Sequence, residues 1–143
     1  MDVSPTIQNP HGRIRSITGT DPDAGAEVSI TVPDRRRWKL YSVRFTLVTD
    51  VNAANRIVEL TIDDGTNYLL TLPSDTIQLA SLTRRYNYSI QPVPQFLVGY
   101  DFHLPLPSLT LSAGYRILTS TAELQATDDY AAPQLLVEEW IDP

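Results

Sequence analysis

Apolar side chains return at every second position through most of the chain, and this feature limits the folds open to it. Val28, Ile30 and Val32 alternate with Glu27, Ser29 and Thr31, while Val58, Leu60 and Ile62 alternate with Glu59 and Thr61. In the longest such run, residues 38–48, Tyr41, Val43, Phe45 and Leu47 are expected on one face. Ser42, Arg44 and Thr46 are expected on the other. A period of two describes a strand with one buried and one wet face. A helix needs apolar spacing near 3.6, and no window of a dozen residues keeps it cleanly.

Turn residues punctuate these runs. Pro33-Asp34 stops one strand, and Asp64-Gly65 before Tyr68 predicts a hairpin whose two central residues both take positive φ. Further strands are expected over residues 13–18, 76–81, 84–90, 109–111, 115–124 and 134–141, with a loop over 126–133. Pro92, Pro94, Pro105 and Pro107 cannot donate to a ladder, so residues 91–107 read as loops or edges. About nine to eleven short strands separated by turns indicate an all-β antiparallel sandwich or barrel. Residues 1–25 are turn-rich and form an extended N-terminal arm, and residues 26–143 form the β-sandwich domain. The arm either pairs as an edge strand of its own sheet or reaches across to a neighbouring subunit.

A chain of 143 residues fits one domain with a core that needs no staples. It contains no cysteine, which excludes disulfides, thiolate metal sites and cysteine nucleophiles. No stretch approaches the roughly 20 apolar residues of a membrane helix. Residues 1–5 lack the start of a signal peptide, so synthesis in a cytoplasm is the expectation. The net charge of −6 is concentrated late. Asp101, Glu123, Asp128, Asp129, Glu138, Glu139 and Asp142 stand against Arg116 alone. Such a segment repels nucleic acid and suits a basic partner, a cation, or simply solvent.

Catalytic constellations are not apparent. The histidines, His11 and His103, fall in irregular segments, and no serine sits in a nucleophile elbow. The pairs Asp63-Asp64 and Asp128-Asp129 are chain neighbours, which a strand points to opposite faces and which therefore do not flank a substrate. Asp128 and Asp129 are the better candidates for calcium, although no loop has the required spacing. Arg35-Arg36-Arg37-Trp38-Lys39 puts bases around an aromatic, as in nucleic-acid binders, but an acidic chain favours an acidic protein surface as its partner. Arg84-Arg85 is expected to add to that patch. Asn87-Tyr88-Ser89 matches a glycosylation sequon, read as a chance match. Trp38 and Trp140 are expected to close the core, and Tyr86, Tyr88 and Tyr100 to offer an aromatic platform.

A series of short features extends this reading. Val32-Pro33 leads to Trp38, followed by Ser42-Val43-Arg44, Leu47-Val48-Thr49, Ala54-Asn55-Arg56 and Asp63-Asp64-Gly65. Towards the end come Leu109-Thr110-Leu111, Ala113-Gly114-Tyr115-Arg116-Ile117, Leu124-Gln125-Ala126, Asp128-Asp129-Tyr130 and Val137-Glu138-Glu139-Trp140. In this order they resemble a family of small β-proteins encoded among the structural genes of tailed bacteriophages. The resemblance covers about four-fifths of the chain, missing mainly the arm, and brings no catalytic motif. It implies a jelly-roll-like sandwich acting as a capsid decoration, or cement, protein on the virion surface, with no enzymatic activity and no cofactor. The implied partners are the major capsid protein and copies of itself, as a homodimer or homotrimer, with neither nucleic acid nor membrane. Arg13, Arg15, Arg35, Arg36, Arg37, Arg84 and Arg85 are the expected partner-binding residues. The alternative is a receptor- or carbohydrate-binding sandwich of a head or tail fibre.

Overall fold

The computed structural model describes residues 12–91 and 94–142. His11, Pro92 and the first part of the expected arm lie outside these. Among the described residues there is no helix, and strands follow one another throughout. They are β1 (Arg13–Thr18), β2 (Ser29–Thr31), β3 (Arg36–Val48), β4 (Ile57–Asp63), β5 (Tyr68–Pro73) and β6 (Thr83–Ser89). Then come β7 (Phe96–Val98), β8 (Asp101–Pro105), β9 (Thr110–Leu111), β10 (Arg116–Ala122), β11 (Asp129–Tyr130) and β12 (Gln134–Ile141).

Two sheets form a β-sandwich. The larger runs β1-β12-β3-β6-β8-β7, with the short β9 and β11 also on β3, and the smaller runs β2-β10-β4-β5. Residues 13–18, expected in the arm, are an antiparallel edge strand against β12, so this part of the arm pairs within its own sheet.

β3 is the spine of the larger sheet and carries a correction to the simple alternation. Its buried residues are Trp38 and Leu40, then Val43, Phe45 and Leu47, so the inward phase changes once. The change coincides with a register shift against β12, where Leu40 faces Val137 but Ser42 faces Leu136. Tyr41 is the extra residue of a β-bulge. It is half-buried with its hydroxyl on Glu138 Oε1 at 2.9 Å, instead of sharing the inner face with Val43.

Both inner faces fill the core. Val58, Leu60, Ile62 and Ile117 of the smaller sheet oppose Phe45, Tyr86, Tyr88, Phe102 and Leu104 of the larger. Phe45 stacks on Tyr86 with ring centroids 5.4 Å apart and meets Tyr130 edge-on at 5.6 Å, geometries that aromatic quadrupoles favour.

Other expectations are corrected. Residues 76–81 are not a strand; only Gln78 bridges to Arg56. Its side-chain amide donates to Leu47 O at 2.8 Å and accepts from the Tyr86 hydroxyl at 2.8 Å, closing the core end. The proline-rich region contains β7 and β8, and β8 lies parallel to β6 with Pro105 at its last position. The β4–β5 hairpin forms, but only Gly65 has positive φ, at 96°. Asp64 instead accepts from the backbone N–H groups of Thr66 and Asn67 at 2.8 and 2.7 Å, making a four-residue loop. Trp38 is core as expected, whereas Trp140 is only half-buried.

Candidate protein-docking surface

Strand register gathers most of the expected arginines at one end of the larger sheet. Pairing of β1 with β12 sets Arg13 opposite Glu139, and pairing of β12 with β3 sets Glu139 opposite Trp38. Because paired residues share a face, the alternation that buries Leu135 and Val137 also buries Glu139.

Glu139 organises the cluster. Its Oε2 accepts from Trp38 Nε1 at 2.8 Å and its Oε1 from Arg15 Nη1 at 2.8 Å, with Arg36 Nε 3.7 Å away. Burial pushes this carboxyl up, but the indole donor and the two guanidinium groups outweigh it and hold it below its ordinary value. Arg37 is fixed from the other side. Its Nε donates to Asp142 Oδ1 at 2.9 Å, and its guanidinium lies 5.5 Å from the centroid of the Trp140 ring. The turn before β3 is closed by Arg35 at φ 62°, whose carbonyl accepts from Asp142 N at 2.8 Å.

Each guanidinium carries five donors in a planar fork, and the internal bonds use only a part of them. Arg15 and Arg37 remain 41% and 45% exposed. Among the described residues, Arg13 and Arg35 make no ion pair and both are exposed. The end of the sheet thus carries exposed guanidinium groups, two of them held at buried Glu139 and one at Asp142, suited to carboxylates on another surface.

Arg84 and Arg85 do not join it. They face Leu47 and Thr46, about 33–36 Å along β3 from Arg36 at roughly 3.3 Å per residue. Arg84 is buried and donates to Ile77 O at 3.2 Å. Arg85 forks onto Asp101 through bonds of 2.8 and 2.7 Å. The expected tyrosine platform is not assembled either. Tyr86 and Tyr88 are core residues, burial raises the Tyr86 phenol to about 12, and only Tyr100 is exposed.

Asp128, a calcium candidate, and several other carboxylates are engaged with arginines of the chain. Asp63 is forked by Arg116 at 2.9 and 2.7 Å, which holds it below the ordinary carboxylate range. Arg56, fully buried, binds both oxygens of Asp128 and also Asp50 Oδ1 at 2.8 Å. Among the described residues no three acidic or histidine side chains come together as a metal-holding group. His103 stacks on Phe96 with centroids 4.7 Å apart.

Sequence reasoning missed Glu139 as the organising residue. The signal was its phase, two positions after Val137 in an alternating strand.

No family model matches the chain, and no curated protein matches it. Among solved structures, a chain of dimeric latent PorU from Porphyromonas gingivalis is similar, with a TM-score of 0.44 and 10% identity. The alignment covers 92% of this chain and 13% of that one, so the present chain spans a small part of its length. No role is carried over from it.

Proposed function

We propose that the chain is a tailed-phage virion protein of decoration, or cement, type, with a jelly-roll-like sandwich and no enzymatic role. It docks on the major capsid protein through its arginine end. The observation that carries this reading is that β1 and the start of β3 bring Arg13, Arg15, Arg35, Arg36 and Arg37 to one end of the larger sheet, with Arg15 and Arg36 at buried Glu139 and Arg37 at Asp142. Exposed cations clustered at one sheet end suit an acidic shell surface. The family resemblance supplies the setting. A protein that binds only the expanded lattice stabilises that state by its differential affinity, and contacts repeated over a shell add through multivalency.

The test is co-sedimentation with mature, undecorated capsids of the parent phage. Stoichiometric retention that drops on replacing Arg35, Arg36 and Arg37 by alanine, with unchanged circular dichroism, supports the reading. Retention unaffected by the triple substitution removes the docking assignment, and no binding at all removes the capsid role.

A second reading, a receptor- or carbohydrate-binding sandwich of a head or tail fibre, is favoured by one observation. Register aligns Gln134, Arg44, Asn87, His103 and Phe96 in a single row across the outer face of the larger sheet. Binding of host cell-wall polysaccharide, abolished by Asn87→Ala, would select it over the capsid role.

A further inference from the structure

The outer face of the smaller sheet carries a cleft distinct from the arginine end and from the Asn87 row. Val58, Leu60 and Ile62 of β4 point into the core, so Glu59 and Thr61 point outwards. Register sets Ser120 of β10 opposite Glu59, and Thr71 of β5 opposite Thr61. A bulge adds Tyr68. Ile62 faces Leu70 but Asp63 faces Tyr68, so Leu69 is the extra residue and Tyr68 takes the outward place beside Thr71. Glu59, Thr61, Tyr68, Thr71 and Ser120 together line a hollow of about 140 Å³.

Two observations mark it as a binding site. Among the described residues, none of these side chains makes a hydrogen bond or an ion pair within the chain. Thr61 is only 3% exposed, yet its unpartnered hydroxyl is not sealed in, and the hollow it lines is its opening. Buried polar groups are as a rule hydrogen-bonded, so this hydroxyl is poised for a partner from outside. Tyr68, by contrast, is 77% exposed and offers its ring as a wall.

We propose that the hollow binds one pyranose unit of a glycan. Its four hydroxyl side chains donate and accept, and the Glu59 carboxylate accepts, which matches a ring bearing adjacent hydroxyls. The aromatic wall packs the apolar face of that ring while the polar groups fix its orientation. The volume equals about four or five water molecules at roughly 30 Å³ each, enough to seat a single sugar ring from one side. A lysine ammonium, the other group that a lone carboxylate suits, has no acceptor to offer these hydroxyls. The proposal does not depend on the capsid reading, whose readout is retention through the arginine end.

Amide NMR of the full chain tests it. Glucose, galactose, mannose, N-acetylglucosamine and rhamnose are titrated separately, with N-acetyl-lysine methylamide as an ammonium probe. At least one sugar is expected to shift the amides of Glu59, Thr61, Tyr68, Thr71 and Ser120, saturating in the millimolar range usual for so small a ligand. Tyr68→Ala and Glu59→Gln should each weaken that binding by about tenfold with the rest of the spectrum unchanged, whereas Asn87→Ala leaves it intact. No saturable shift with any of the sugars overturns the inference. So do shifts centred elsewhere or lost in Asn87→Ala, binding unaffected by both cleft substitutions, or a response to the ammonium probe alone.

Discussion

Arg56 and Asp128, 72 positions apart, meet in a two-bond fork of 2.9 and 3.0 Å with neither side chain exposed. Asp128 also accepts from the backbone N–H groups of Asp50 and Gln125, both at 2.8 Å, and so ties together loops from distant parts of the chain. Removing one partner of a buried pair leaves an uncompensated charge. Arg56→Leu should therefore lower unfolding stability by about 3–5 kcal/mol, measured by urea denaturation. Asp128→Leu added to it should recover only part, because those two N–H groups then lack an acceptor.

Acid should weaken the fold in a defined window. Arg116 holds Asp63 low, Arg85 holds Asp101 low, and at Glu139 the bonded donors overcome burial. A carboxyl with a lowered folded pKa contributes stability that is present above its unfolded value of about 4 and is lost as pH falls through the lower folded value. The urea midpoint should be insensitive to these groups between pH 5 and 7 and fall below about pH 4. A midpoint that holds steady down to pH 2 would contradict these assignments.

Trp38→Phe keeps the apolar ring but removes the indole donor to Glu139. A buried acceptor without its partner costs about 1–3 kcal/mol. The remaining guanidinium contacts hold Glu139 less firmly, so its folded pKa rises and the acid transition of the variant should begin at higher pH. Equal midpoints at pH 7 would mean that water replaces the indole.

Gly25 and Gly114 both have positive φ, of 79° and 86°, but differ in surroundings. A Cβ at Gly114 meets nothing within 4 Å, so Gly114→Ala should cost only the backbone penalty of about 1–2 kcal/mol. At Gly25 the same atom would lie 2.8 Å from Ala126 O. Gly25→Ala should therefore be clearly the more damaging in thermal melts, and equal melting temperatures would show that this loop yields.

Two strands bounded by turn residues were legible to the residue, Arg13–Thr18 and Gln134–Ile141, while most others shifted by one or two residues at their ends. Alternation failed where one inserted residue mattered, since the bulge at Tyr41 follows from pairing with β12 and has no local signature. β8 was hidden because its proline, read as a breaker, sits at the strand's end, and its parallel partner β6 is non-local. The arginine end was legible in Arg35, Arg36 and Arg37, which adjoin in sequence. Arg84 was misplaced although its phase with Tyr86 and Tyr88 already turned it inward.

The pairing of β1 with β12 joins residues more than a hundred positions apart, as the Thr18–Gln134 bond of 2.9 Å illustrates. A ribosome must finish β12 before β1 has anything to pair with, and β3, the spine, waits for the same strand on one of its sides. Loop-closure entropy opposes such distant pairings and slows folding. Refolding should therefore be slow for a domain of this size, with β1 docking late, and its amides should be among the first to exchange with solvent.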